Sequence, residues 1–123
     1  PQSMERLIRA LGGEVADYDG KTTCCGFPIV LAREQVALKE SHVALSGARD
    51  AGADCMVTPC PLCHLAMDAY QRKAEVLNGT EYNMPVLHLP QLLGLGLGMS
   101  NDIMQFKRHM VPMDKVLETV GAR

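Results

Sequence analysis

The sequence lacks the features that mark proteins which bind nucleic acids or cross membranes. Aromatic residues make up only 4% of the 123 residues, and 12 lysines and arginines are scattered among 14 acidic residues. A nucleic-acid surface needs clustered positive charge, and a single-strand surface also needs aromatic rings for base stacking. The longest apolar stretch, 85–99, is the best candidate for a membrane span. It is interrupted by glycines, His88 and Gln91, and it is shorter than the ~18 residues that a span needs. We therefore expect an ordinary globular protein without a nucleic-acid partner.

Two further absences reduce the number of possible functions. The glycines Gly94, Gly96 and Gly98 alternate, so they do not form the G-x-G-x-x-G fingerprint of a dinucleotide site. The cysteines number five, an odd count in a chain that is too long and too poor in cysteine for a secreted disulfide scaffold. We therefore expect reduced thiols, a cytoplasmic location and a metal-binding or redox role for the cysteines.

The length of the chain fits one domain, which we place at residues 1–123. The sequence opens at Pro1 and enters a helix at once, and this predicts a fragment of a larger subunit. The sequence therefore leaves open whether a targeting signal or a membrane anchor lies upstream of residue 1.

Signals for helices and strands alternate along the chain. Short apolar or alternating stretches predict strands at 14–18, 53–58 and 86–89. Such alternation with helices implies parallel strands joined by right-handed crossovers. The predicted fold is α/β, a small open parallel sheet flanked by helices in a Rossmann-like three-layer arrangement. The helices expected from capping residues, periodicity and glycine or proline boundaries are 3–11, one within 29–51, 61–78, one from Pro90, 102–109 and 113–120.

Four of the cysteines lie in two short groups at predicted strand ends. Cys24 and Cys25 lie in a loop after the first predicted strand, and Cys60 and Cys63 lie where the second strand meets its helix. In an open α/β sheet, ligands bind beyond the carboxyl ends of the strands, so both groups are expected to meet there. The first turn of a helix favours thiolates, and four convergent thiolates bind an iron–sulfur cluster or zinc. We therefore predict one shared metal centre.

The remaining candidates are one cysteine and four histidines. Cys55 lies within the second predicted strand and is expected to be a core residue. His88 ends the third predicted strand and is the candidate proton donor to a leaving thiolate, with a hydrogen-bonded structural role as the alternative. His64 could tune the metal centre from a neighbouring position or lie in solvent. His42 and His109 are expected at the surface.

The two cysteine groups and their surroundings resemble a known family. A Cys-Cys-Gly motif at 24–26 followed by a Cys-Pro-Leu-Cys motif at 60–63 is similar to the cysteine-rich CCG domain in the B subunit of heterodisulfide reductase. The segments 11–15 and 86–98 resemble the corresponding parts of that family, so the likeness covers nearly the whole chain. In that family the domain occurs twice in the same polypeptide, and the resemblance identifies this chain as the second, C-terminal copy.

The resemblance implies a cofactor, a reaction and partners. In that family, five cysteines of one copy can hold a non-cubane [4Fe–4S] cluster that cleaves the disulfide of coenzymes M and B. The resemblance implies that Cys24, Cys25, Cys60 and Cys63 are cluster ligands in such an oxidoreductase. It also implies a sister CCG domain, iron–sulfur or flavin subunits that deliver electrons, and membrane association through partner subunits as an option. The family's fifth cysteine lies upstream of the pair, and 1–23 contains none, so the cluster could be altered or replaced by zinc.

Two other functions stay open, and the spacing of the motifs argues against a third. The same domain occurs in iron–sulfur subunits of glycolate, lactate, glycerol-phosphate and succinate oxidoreductases, so the resemblance also allows electron transfer in such an enzyme. Four cysteines could instead close a structural zinc site without catalysis. A thioredoxin-like dithiol is the third option, but the stretch between Cys63 and Pro85 is too short for the ~30-residue crossover unit that such a fold needs there.

The glycine- and leucine-rich segment 90–99 is a candidate contact with a partner subunit. Its glycines permit close backbone approach, and its leucines supply apolar area. Filling the core beside the third predicted strand is the alternative, and charged substitutions at Leu95 and Leu97 distinguish the two.

Overall fold

The computed structural model describes residues 2–121. Two short strands form one parallel sheet, in which β1 covers Met56–Thr58 and β2 covers Val86–His88. The strands pair in step, first residue to first residue and last to last. Helices flank this small open sheet, so the predicted α/β class is confirmed.

Residues 2–121 contain seven α-helices around the strands. Pro61 and Pro90 lie in the first turns of α3 and α5, as predicted, because the missing amide proton of proline costs no helical hydrogen bond there. Single 3-10 turns lie at Phe27–Ile29 and Phe106–Arg108. The helices are α1 (Gln2–Ala10), α2 (Glu34–Asp50), α3 (Pro61–Met67), α4 (Gln71–Asn78), α5 (Leu89–Gly96), α6 (Asn101–Met104) and α7 (Asp114–Thr119).

The sheet separates two hydrophobic clusters, because successive residues of a strand point to opposite faces. Met56 and Val86 belong to the first cluster, together with apolar side chains of α2, α3 and α4. Val57 and Leu87 belong to the second cluster, together with side chains of α5 and of the segments that follow it. The molecule is therefore layered as helix, sheet and helix.

The strand predicted at 14–18 is wrong. The described residues form the two strands above, and 14–18 has no regular backbone pairing. The segment lies along α2 instead, where a Cβ placed on Gly47 would be 2.7 Å from the ring of Tyr18. Its alternation of polar and apolar residues therefore reflects contact with a helix and not with a neighbouring strand.

The single helix predicted at 61–78 is two helices, α3 and α4. The break places two buried polar side chains against other parts of the chain. The Asp68 carboxylate accepts the backbone N–H groups of residues 110–111 at 2.9 and 3.0 Å. The Gln71 side chain exchanges two hydrogen bonds with the backbone of Met84, at 2.8 and 2.9 Å. Periodicity cannot report such tertiary hydrogen bonds.

The remaining helices differ from the predictions in detail. The helix predicted at 102–109 divides into α6 and a 3-10 turn, because Gln105 adopts a left-handed conformation (φ 56°) between them. In α5, Leu95 packs against the second cluster, whereas Leu97, just beyond its end, is 76% exposed. No helix within 2–121 has both the length and the apolar character required to cross a bilayer.

Candidate metal centre

Cys60 and Cys63 lie at the carboxyl end of β1, where the sequence places them. The chain leaves the strand at Thr58, whose side-chain oxygen accepts the backbone N–H of Cys60 at 3.2 Å. Cys60 is the extended residue that precedes α3, and Cys63 lies in the first turn of that helix. Both side chains therefore lie at the start of α3.

These two thiols have opposite environments. The backbone amides of Cys63 and Leu62 face the Cys60 sulfur and lower the pKa of its thiol. Burial, together with contacts to the thiols of Cys25 and Cys60, raises the pKa of Cys63 to about 12. Cys60 is therefore the more readily ionised thiol, and Cys63 is its protonated neighbour.

Cys25 reaches the same place from a loop. Its side chain is only 4% exposed and packs in the first hydrophobic cluster, where its thiol contacts that of Cys63. The hydroxyl of Ser41 on α2 lies 3.1 Å from the carbonyl oxygens of both Cys25 and Ala37, so its proton is shared between the loop and the helix. The loop is therefore fastened to α2 and not to the sheet.

Gly26 forms the turn that follows the cysteine pair. Its φ of 75° lies in the left-handed region, and its backbone N–H donates to the Cys24 sulfur at 3.4 Å. A Cβ at this position would lie 3.0 Å from the Cα of Ala37 and 3.0 Å from the Cβ of Glu40. Glycine is required both by the backbone conformation and by the close approach to α2.

The structure thus places the Cys63 thiol beside the thiols of Cys25 and Cys60. The three sulfur atoms do not all lie within 4.8 Å of one another, so holding one centre requires the loop and the start of α3 to close around it. Cys24 is exposed and adjoins this group through its neighbour Cys25. The expectation that both cysteine groups follow strands is wrong for Cys24 and Cys25, because 14–18 forms no strand.

The donor set fits a metal centre that prefers sulfur. The cysteines are all free thiols, and soft thiolates select iron–sulfur clusters or zinc over hard cations. A nearby cation reverses the effect of burial on a thiol, because a coordinating thiol is deprotonated. The residues that would hold such a centre are Cys24, Cys25, Cys60 and Cys63.

Cys55 lies apart from this group. It packs against the second hydrophobic cluster, on the opposite face of the sheet from Cys25 and Cys63. Burial and the nearby charge of Asp54 raise the pKa of its thiol to about 11. Cys55 is therefore a core residue, as the sequence predicts.

Three histidines form a cluster that sequence reasoning missed. The His64 ring stacks on His88 with a centroid distance of 4.6 Å and meets His109 edge-on at 4.9 Å. Nε2 of His64 lies 3.0 Å from the carbonyl oxygen of Val86. Burial lowers the pKa of all three imidazoles. The prediction of a surface position is wrong for His109, and also for the half-buried His42, which hydrogen-bonds to the Tyr82 hydroxyl.

His64, Asp68 and His109 also have the spacing of a metal site. One ligand atom from each lies within 4.8 Å of the others, and the described part of the chain holds no other trio of potential ligands at this spacing. The separation of His64 and Asp68 by four residues along α3 is a local signal for this contact, whereas nothing in the sequence near His109 marks it.

The side chain of Gln91 argues against metal binding at this trio. Its amide oxygen accepts the backbone N–H of His88 at 3.0 Å, and its nitrogen lies 2.8 Å from the Met104 carbonyl oxygen and 2.9 Å from Nε2 of His109. The amide nitrogen is thus a donor, so Nε2 of His109 accepts and Nδ1 carries the ring proton. This Nδ1 has no hydrogen-bond partner within 2–121, and a protonated nitrogen does not bind a metal.

A cavity of about 210 Å³ opens at the other end of the sheet. Its lining includes Asp54 and Pro85, which precede β1 and β2, and the cationic side chains of Arg49 and Lys115. The cavity therefore lies at the amino ends of the strands, away from the cysteine group.

Comparisons with known proteins place this arrangement in a family. Residues 1–68, which include Cys24, Cys25, Cys60 and Cys63, match the family model CCG, described as a cysteine-rich domain. The 8-methylmenaquinol:fumarate reductase membrane anchor subunit of Wolinella succinogenes is 40% identical over 99 residues, which are 80% of this chain and 35% of that protein.

Two heterodisulfide reductase subunits are similar over a longer stretch. The B subunit of the ferredoxin/F(420)H(2)-dependent CoB-CoM heterodisulfide reductase of Methanosarcina acetivorans is 37% identical over 115 residues, 90% of this chain and 38% of that protein. The B subunit of the ferredoxin:CoB-CoM heterodisulfide reductase of Methanosarcina mazei is 36% identical over 113 residues, with the same shares. The chain thus spans a little more than a third of the length of these relatives. By its match over 1–68, the chain belongs to the cysteine-rich CCG domain family.

Proposed function

We propose that Cys24, Cys25, Cys60 and Cys63 hold an iron–sulfur cluster in a subunit of a redox complex. The observation that carries the proposal is the position of the Cys63 thiol beside the thiols of Cys25 and Cys60, which brings the two cysteine motifs together. Four convergent thiolates suit iron–sulfur clusters. A structural zinc site remains the metal alternative, because four cysteines also close a tetrahedral zinc site.

The cluster we propose is a non-cubane [4Fe–4S] cluster that reduces a small disulfide of the coenzyme M–coenzyme B type. Support comes from the relatives that are named as B subunits of CoB-CoM heterodisulfide reductases. Electrons would come from iron–sulfur or flavin subunits, with a sister CCG domain as a further partner. A cytoplasmic location with membrane association through partners accords with one relative being a membrane anchor subunit.

A second candidate is electron transfer in an oxidoreductase that acts on an organic acid. The relative from Wolinella succinogenes is named as a subunit of a fumarate reductase and has the highest identity of the three relatives above. In this role the same four cysteines would hold the cluster, and no disulfide would be cleaved.

The chain's own residues would contribute in three ways. The amides of Leu62 and Cys63 favour negative charge on the Cys60 sulfur. Burial of Cys25 keeps water from one side of the centre. His88 is the candidate proton donor to a leaving thiolate, and its strand partner is Thr58, which holds the amide of Cys60. Burial lowers the pKa of His88, so its protonated form becomes populated only at acidic pH. When bound, the cluster supplies electrons for cleavage of a sulfur–sulfur bond.

Anaerobic reconstitution tests the proposal. The full-length protein, with any upstream segment, is incubated with iron and sulfide and then analysed for metal, acid-labile sulfide and electron paramagnetic resonance. We expect iron and sulfide in similar amounts, and we expect Cys63→Ala to lose most of both because Cys63 joins the two motifs. Cys55→Ala is the matched control and should retain the cluster. One colourless zinc ion per chain, without sulfide, would contradict the proposal and favour the structural zinc site.

The reaction is tested separately from the cluster. The reconstituted complex is supplied with a reductant and a coenzyme M–coenzyme B disulfide, and released thiols are counted. Release of two thiols per disulfide supports the first candidate. An intact cluster that transfers electrons without releasing thiols supports the second.

A further inference from the structure

We propose that the metal-free chain exchanges with small disulfides, with Cys60 as the attacking thiol and Cys63 as the resolving thiol. This activity goes beyond the proposed cluster function, because it uses the same side chains before any metal is bound and needs no cluster. The thiols that would bind the metal would then be stored as one reversible disulfide.

The placement of the two cysteines is the first observation. They are three positions apart at the start of α3, Cys60 immediately before the helix and Cys63 in its first turn, and their thiols are near neighbours. Cys60 has an extended backbone and precedes the helix, so its side chain can be moved toward Cys63 without unwinding α3. A disulfide needs Cβ atoms about 3.5–4.5 Å apart, and closing it requires adjustment only of Cys60 and of the first turn.

Access from solvent separates Cys60 from the other neighbour of Cys63. Cys25 is buried in the first hydrophobic cluster and Cys63 packs against that cluster, whereas Cys60 is partly exposed and lies outside it. An incoming disulfide must reach the attacking sulfur along the line of its own sulfur–sulfur bond. Of these three thiols, Cys60 is therefore the one that a small disulfide reaches most easily.

Cys24 is exposed as well, but the cysteine next to it in the sequence is poorly placed to form a disulfide with it. Its neighbour in sequence is Cys25, and adjacent Cα atoms are about 3.8 Å apart across a trans peptide. A relaxed disulfide joins Cα atoms about 4.4–6.8 Å apart. Attack by Cys24 would therefore stop at a mixed disulfide, whereas attack by Cys60 leads on to an intramolecular bond.

The reaction has two steps that balance. The Cys60 thiolate attacks one sulfur of a disulfide RSSR, forms a bond between Cys60 and RS, and releases RS⁻. The Cys63 sulfur then attacks the Cys60 sulfur, and the second RS⁻ leaves. Protons from the two cysteine thiols convert the leaving thiolates into two RSH. The chain loses two electrons and two protons, and one RSSR gains them.

Anaerobic incubation of the full chain with oxidised glutathione tests the proposal. The chain is first freed of metal with a chelator and reduced, and the products are then mapped by mass spectrometry after alkylation. We expect a disulfide between Cys60 and Cys63, with two glutathione thiols released for each disulfide consumed. We expect Cys63→Ser to trap glutathione on Cys60, and Cys60→Ser to slow intramolecular oxidation at least tenfold. Cys55→Ser is the matched control and should oxidise like the unaltered chain.

The disulfides mapped by mass spectrometry in the unaltered chain test the proposal even if a serine variant does not fold. A disulfide between Cys25 and Cys63, or between Cys24 and Cys25, would overturn it. So would a chain that ends with glutathione attached and no internal disulfide. A chain preloaded with zinc should resist oxidation, and removal of the zinc by a chelator should restore it. This result would show that the metal and the disulfide use the same sulfur atoms, and it requires no redox activity of a cluster.

Discussion

The two pairs of cysteines in the candidate metal centre are held in position in different ways. The helix arm, Cys60 and Cys63, is positioned by regular structure, since β1, a proline and the first turn of α3 follow one another directly. The loop arm, Cys24 and Cys25, has no strand before it and is held by contacts with α2. Local rules therefore determine the helix arm, whereas tertiary contacts determine the loop arm.

The largest expected effect is on the turn of the loop arm. Gly26→Ala forces a side chain into a left-handed conformation and against the backbone of Ala37, so we expect a loss of about 2–4 kcal/mol in the free energy of unfolding. Gly52→Ala is the matched control, because Gly52 has a similar φ of 74° with nothing within 4 Å of the added Cβ. It should cost about 1–2 kcal/mol. Urea unfolding of both variants measures the difference, and equal losses would show that the contact with α2 does not matter.

The same contrast explains which parts of the fold could be predicted. The helix arm follows from signals within a few residues, such as the apolar run before Pro59 and the proline at the start of α3. The strand predicted at 14–18 is wrong because alternation does not distinguish a segment packed on a helix from one paired in a sheet. The contact of Tyr18 with Gly47 is not visible in the sequence.

Part of the site could also be predicted, for the same reason. Cys60 and Cys63 are predicted at a strand end and lie there, and Cys55 is predicted in the core and packs there. The histidine cluster escapes prediction because His109 comes from a distant segment, which the buried carboxylate of Asp68 holds in place. A contact between a carboxylate and backbone amides that are about 40 residues away leaves no periodic pattern of apolar residues in the sequence.

An intermediate effect is expected from the polar side chains that fasten each arm. Ser41→Ala removes the donor to the Cys25 carbonyl oxygen, and Thr58→Val removes the acceptor for the Cys60 amide. Each should cost about 1 kcal/mol in urea unfolding. The alkylation rate of Cys25 in the metal-free chain should rise in Ser41→Ala and stay unchanged in Thr58→Val. An equal rise in both variants would mean that the two arms are not fastened independently.

The two thiols of the helix arm are expected to differ in the sign of their effect on the pH dependence of stability. The pKa of Cys63 is raised to about 12, so the folded chain holds this proton more tightly than the unfolded chain, where thiols ionise near about 8.5. The contribution of Cys63 to stability is therefore complete below the unfolded pKa and is lost as the pH rises toward about 12. The pKa of Cys60 is lowered, so its contribution has the opposite sign and is present above the unfolded pKa.

Urea unfolding of the reduced, metal-free chain between about pH 7 and about pH 10 measures this difference, because the interval spans the ordinary thiol pKa. In Cys63→Ala the decline of stability with rising pH should become shallower, since a group that favours the folded state only when protonated has been removed. In Cys60→Ala the decline should become steeper. Cys55→Ala should resemble Cys63→Ala, because burial raises the pKa of Cys55 to about 11 although it lies on the other face of the sheet. If Cys60→Ala and Cys63→Ala both make the decline of stability with pH steeper, or both make it shallower, the two thiols do not have pKa values shifted in opposite directions. The backbone amides at the start of α3 would then not favour the Cys60 thiolate.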